Sequence, residues 1–266
     1  MKHGRKHGTR RRVCRLERLE TRWLLSADSD GLLAFSSPVN EPEAIQVLSL
    51  PSELAEVSLS EASYPLSSVP LLSSDPAAAA KVFLDFDGAP AQVWGSYQAA
   101  ETPAFDQDGD PTTFSDLELE AMAAIWAQVA EAFSPFEVDV TTIDPGNRDN
   151  LATEAVVFGG DGAWTGGNYG GVSLIGGFYN AAPNTVFVFT DNLADGNVKF
   201  SSRTAAHELG HSFGLQHQSS YDADGNLISE YNMGNSLVAP LMGSAFVSAR
   251  GVWYSGPTPY GTMYTQ

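Results

Sequence analysis

The sequence predicts an α/β fold, a sheet layered with helices, over residues 81–266. Three observations predict it. Short apolar runs bounded by turn residues read as strands, one segment carries helical apolar spacing behind a capping signature, and the two kinds alternate along the chain. The chain of 266 residues is long enough for one compact domain, or two, with a sizeable core. With 43% hydrophobic and 17% charged residues its bulk is globular rather than disordered.

The elements follow in order. Val82-Phe83-Leu84-Asp85-Phe86 reads as a strand running into Asp87-Gly88. Ser115 followed by Glu118 is a capping box, which opens a helix lasting to about Phe133. Leu117, Met122, Ile125, Trp126 and Val129 are its expected buried stripe. Glu137 to Thr142 alternates as a strand and ends at Asp144-Pro145-Gly146. Ala155 to Phe158 and Thr185 to Thr190 are two further short strands. Between them lies a loop with nine glycines in residues 159–177. That stretch has no lysine, so it is not a phosphate-binding P-loop. A second helix, capped by Ser201 or Ser202, leads through Thr204-Ala205-Ala206 into a histidine cluster.

Charge divides the rest of the chain. Residues 1–26 carry nine Lys and Arg against two acids and lack a signal peptide's apolar stretch. Composition favours a basic disordered arm, and an export-like segment is expected only from a resemblance at Leu19–Leu25. Residues 27–80 carry eight acids and no Lys or Arg, are rich in Ser, Pro, Leu and Ala, and are expected to be a flexible acidic linker or pro-segment. Residues 81–266 carry 22 acids against five bases. So acidic a body disfavours nucleic acid as a partner. No apolar run approaches the ~18 residues of a spanning helix, so no integral membrane segment is expected. The single cysteine, Cys14, lies in the basic head, which leaves the body no disulfide and no thiolate metal ligand.

Histidine is confined as sharply. His3 and His7 lie in the head, and the other three, His207, His211 and His217, fall within eleven residues. The run HELGHSFGLQH matches HExxHxxGxxH. On a helix His207 and His211 share one face, so both imidazoles can reach one Zn²⁺. Glu208 can lie beside a water at that ion. Gly214 can take a positive φ, end the helix and turn the chain, letting His217 approach as the third ligand. A fourth position is then left for water, as a catalytic zinc site requires.

At these residues the sequence resembles the metzincin clan of zinc metallopeptidases, of a bacterial reprolysin-like or matrixin-like kind. The resemblance implies a zincin-type α/β fold. That fold has a twisted, mostly parallel sheet packed with a long helix and an active-site helix, and a smaller irregular subdomain after the third histidine. It implies a catalytic domain over residues 81–266, and a methionine turn under the metal, for which Met242 in Pro240-Leu241-Met242-Gly243 is the match. Some members carry a tyrosine two residues after that methionine. Here Ser244 stands there, so the tyrosine's role of binding metal or stabilising the transition state is empty or filled elsewhere, with Tyr254 or Tyr260 as candidates. The implied activity is hydrolysis of protein or peptide substrates, with Glu208 as general base and the substrate extended along an edge strand near Thr185 to Thr190. Leu19-Glu20-Thr21-Arg22-Trp23-Leu24-Leu25 resembles the LEPR-XLL motif of large bacterial exported and surface proteins, with Thr21 in place of its proline. It implies a secreted or cell-surface location.

Two acidic loops alternate oxygen ligands: Asp106, Asp108 and Asp110 in FDQDGDP, and Asp222, Asp224 and Asn226 in YDADGN. Each could hold Ca²⁺ or be an Asx-rich turn. Neither fits an EF-hand, because glycine sits fourth and no glutamate sits twelfth. The competing functional reading is an exported surface binding or scaffold module of metalloprotease fold with little activity. A metal-dependent hydrolase with a non-peptide substrate is a third.

Overall fold

The computed structural model describes residues 16–20, 62–148, 151–180 and 183–265. Its strands are β1 (Leu16–Glu20), β2 (Ser63–Pro65), β3 (Ala80–Asp85), β4 (Gln92–Trp94), β5 (Tyr97–Ala99), β6 (Thr113–Ser115), β7 (Val138–Thr141), β8 (Thr153–Phe158), β9 (Tyr169–Leu174) and β10 (Thr185–Val188). Two helices, α1 (Asp116–Phe133) and α2 (Val198–Ser212), interleave with them. The main sheet has the order β1-β9-β10-β8-β3-β7. Strands β7, β3, β8 and β10 run parallel, while β9 runs antiparallel to β10 and β1 antiparallel to β9. The expected α/β class and mostly parallel sheet are what the chain forms. No helix among the described residues is long and apolar enough to cross a membrane.

Strand periodicity explains the two layers. Val82, Leu84, Val156, Phe158, Val186 and Val188 point to the face that carries α1 and α2. Val157, Phe187 and Phe189 point to the other face, under Trp94, Trp164 and the β4–β5 hairpin. Burial on both faces is why these strands read as continuous apolar runs.

α1 begins at the expected capping box: Glu118 N donates to Ser115 Oγ, and Ser115 N donates to Glu118 Oε2 at 2.8 Å. Its buried stripe includes Met122, Ile125 and Val129, but Leu117 is 62% exposed. The helical phase puts Glu118 and Ala121 inward with Met122, and Leu117 falls on the outer face. Trp126 is partly buried and donates from its indole to Val140 O.

Three other expectations need correction. The linker assigned to 27–80 does not extend through residues 62–80. There β2 pairs with β6, Thr142 N donates to Leu72 O, and Asp139 accepts from Ser73 Oγ, Ser74 N and Asp75 N. These are backbone and hydroxyl bonds, which apolar periodicity does not report. Residues 27–61 lie outside the described residues, as do 1–15 and 21–26 of the head. The glycine-rich stretch contains β9, hidden because Tyr169-Gly170-Gly171-Val172 lacks the β-branched texture of a strand. Finally, α2 is capped by Asn197, whose side chain accepts from Lys199 N and Phe200 N, while Ser201 and Ser202 lie buried inside the helix.

Beyond α2 the chain forms short two-stranded pieces. β11 (Ser220–Tyr221) and β12 (Leu227–Ser229) make a hairpin, β13 (Val238–Pro240) pairs parallel with β14 (Arg250–Val252), and β15 (Pro257–Thr258) pairs with β16 (Gly261–Thr265).

Candidate metal centre

α2 carries His207 and His211 four residues apart on one face, and ends on Phe213. Gly214 follows with φ +99°, and its N–H donates to His211 O at 2.8 Å. That conformation turns the chain back so that His217 meets the two helical histidines. One ring nitrogen from each of the three lies within 4.8 Å of the others, and all three side chains are buried.

Each imidazole is held by its Nδ1. His207 donates to Leu241 O at 2.7 Å, His211 to Leu215 O at 2.8 Å, and His217 to a carboxylate oxygen of Glu230 at 2.7 Å. A carbonyl can only accept, so the hydrogen resides on Nδ1 and the Nε2 lone pair is left for a cation. The Nε2 atoms of His207 and His211 are buried with no hydrogen-bond partner. Burial, with the neighbouring His217 adding, pushes His207 down to about 3, and burial with the other two histidines holds His211 well below its ordinary value. Both are therefore neutral at pH 7, the form that ligates metal. Three convergent imidazoles, each held through its Nδ1, would suit Zn²⁺.

Glu208 follows His207 on α2 and is fully buried. The helix lies close over β9. A β-carbon on Gly171 would stand 2.7 Å from Thr204 Cγ2 and 2.8 Å from Glu208 Cγ, so only glycine lets strand and helix approach there. β9 is the strand beside Glu208, and its outer edge carries β1. The expectation of an edge strand at Thr185 to Thr190 is thus corrected: β10 lies inside the sheet between β9 and β8, and Thr190 opens a short 3₁₀ turn.

Met242 is buried and its sulfur packs against Gly210 of α2. It lies in a tight turn in which Gly243 N donates to Pro240 O at 3.0 Å, and its carbonyl accepts from Gln218 N at 2.7 Å. An apolar cavity of about 490 Å³ is lined by Phe133, Phe213, Met242 and Trp253 among others.

The tyrosine beside the triad is none of those expected. Tyr254 and Tyr260 are 63% and 53% exposed, and Ser244 N donates to Asn232 O. Instead the ring of Tyr231 lies 4.2 Å from that of His217 and 6.3 Å from that of His207. Sequence reading missed both Tyr231 and Glu230. No spacing rule links them to the histidine run, and only the β11–β12 hairpin brings them back to it.

Of the two readings left open for the acidic loops, the structure forms the Asx-rich turns. Asp106 accepts from Asp108 N and Gly109 N, Asp108 from Asp110 N, and Asp110 from Thr112, which is an Asx-turn series. Asp106 and Asp108 lie near Glu118 rather than converging with Asp110, and Glu118 already accepts from Gln107 N and from the helix cap. Asp222 accepts from Asp224 N, Asn226 N and Asn226 Nδ2 at the hairpin tip. These oxygens serve the turns, and the alternative of bound calcium is unsupported.

With this geometry in view, the family model described as Metallo-peptidase family M12B Reprolysin-like matches residues 136–218. The match starts just before β7 and ends one residue past His217, so it includes β9, β10, α2 and the triad. Comparison with curated proteins gave no match, and neither did comparison with solved structures. Over these residues the chain is similar to that reprolysin-like metallopeptidase family, and its histidine triad fits a zincin.

Proposed function

We propose that the protein is a zinc-dependent endopeptidase in which His207, His211 and His217 hold the metal and Glu208 is the general base. The observation that carries this reading is the meeting of three buried imidazoles held through Nδ1, with the buried Glu208 following His207 on the same helix. Zinc held there supplies Lewis acidity toward water and a peptide carbonyl. The Glu208 carboxylate takes a proton from the attacking water and returns it to the leaving amine nitrogen. An extended peptide takes the place of β1 on the outer edge of β9, the edge that faces away from β10, and its backbone amides give the affinity. Met242, in its turn under α2, serves as an apolar floor that keeps the helix and the histidine ligands in place. Gly214 sets the turn that delivers His217.

The scaffold alternative gains nothing from the structure, since a binding module has no need of a buried carboxylate beside a metal site. Export to the cell surface or beyond remains part of the proposal, supported by the basic head and the Leu19–Leu25 resemblance. The test is cleavage of casein or a peptide library by the purified protein. Chelator is expected to abolish it, and Glu208→Gln to abolish it with zinc still bound. Full activity in Glu208→Gln would overturn the mechanism.

A further inference from the structure

We propose that Glu230 is a positioning residue for the third metal ligand. Its carboxylate and His217 form a carboxylate–histidine–metal relay that sets how tightly zinc is held. The inference rests on the reading that the triad binds zinc, and adds to it a residue outside the HExxHxxGxxH run.

The three ligands are not supported alike. His207 and His211 each give their Nδ1 hydrogen to a backbone carbonyl, whereas His217 gives its own to the Glu230 carboxylate at 2.7 Å. His217 is also the ligand that no helix holds, since it lies past Gly214. A charged acceptor makes a shorter and stronger hydrogen bond than a neutral one and makes the imidazole a better donor to metal. The ligand outside the helix is therefore the one with a side-chain carboxylate as partner.

The hairpin explains how Glu230 reaches it. Asp222 closes the turn with Asp224 and Asn226, and Gly225 takes φ +83° there. Ser220 then pairs with Ser229, Ser219 Oγ donates to Glu230 O, and Asn232 N donates to Gln218 O. This ladder lays residues 230–232 beside 217–219. Glu230 meets His217 Nδ1, and the Tyr231 ring covers the imidazole at 4.2 Å between centroids. The acidic loop of YDADGN is the turn that fixes this register.

The test is zinc affinity, measured on the full chain by competition with a chromophoric chelator. Glu230→Ala is expected to weaken zinc binding by about 10- to 100-fold. Glu230→Gln, which keeps the acceptor oxygen and loses the charge, should fall between it and the wild type. Glu120→Ala removes the same charge from an exposed position on α1 and should bind like the wild type. Cobalt in place of zinc gives a second readout: the visible absorption of the Glu230→Ala complex should shift, because the donor strength of His217 changes. The Glu230 side chain is 46% exposed, so its loss should leave the metal-free fold intact. Equal zinc affinity and superimposable cobalt spectra in wild type and Glu230→Ala would overturn the positioning role alone. Failure of the wild type to take up zinc would overturn the metallopeptidase reading, and this role with it.

Discussion

Gly171 of β9 faces Glu208 of α2 so closely that a β-carbon at residue 171 would come within 2.8 Å of Glu208 Cγ. Strand and helix are thereby locked in one approach, with the Glu208 side chain packed against β9. Gly171→Ala should push Glu208 aside while leaving the three histidines in place. A displacement of about 1 Å at a catalytic group can cost about 10²-fold in rate. The expected result is a loss of kcat of that order with stoichiometric zinc retained, checked by peptide hydrolysis and metal analysis.

Zinc should stabilise the fold through the triad. At a free concentration about 100 times Kd, binding adds about 2.7 kcal/mol. For a chain of this size that is a rise in Tm of roughly 5–11 °C. A calorimetric scan with and without zinc measures it, and His211→Ala should remove most of the shift.

Glu154 of β8 is a buried carboxyl whose burial pushes its pKa up from 4.5 to about 8, against a small opposing effect of Ser212. The folded state therefore holds a proton that the unfolded state releases above pH 4.5. Stability from this group is fully present below about pH 4.5 and is lost as pH rises through about 8. Glu154→Gln, neutral at every pH, should melt like the wild type at pH 4 and at a higher temperature than the wild type at pH 9. Parallel melting curves across that range would contradict the assignment.

β1 occupies the outer edge of β9, in the register Leu16 opposite Leu174 and Arg18 opposite Val172. An extended substrate on that edge has to displace it. A chain without residues 1–26 should therefore show a KM several-fold lower on a long peptide, with kcat little changed. Equal KM values for the two chains would place substrate elsewhere.

Much of this architecture is legible in the residues. The capping box of Ser115 and Glu118, the apolar runs of β3, β8 and β10, and the histidine spacing all act locally, within one turn or one strand. What escaped has a non-local cause. β9 is poor in strand-forming side chains, and its place follows from how closely Gly171 lets α2 approach. Residues 62–80 are held by backbone and hydroxyl bonds to β7. Leu117 failed because helical phase is set by what the opposite face packs on.

The histidine run by itself determined which three imidazoles can share an ion, because a helix and one turn bring them together whatever surrounds them. Tertiary structure alone decided what supports each of them. Leu241 O reaches His207 from 34 residues away, and Glu230 reaches His217 across a hairpin. It also decided which strand lies beside Glu208, with β9 and not β10 at that side of the sheet. Ligand type is a property of a short segment, whereas hydrogen-bond partners and sheet edges arise only when distant segments pack.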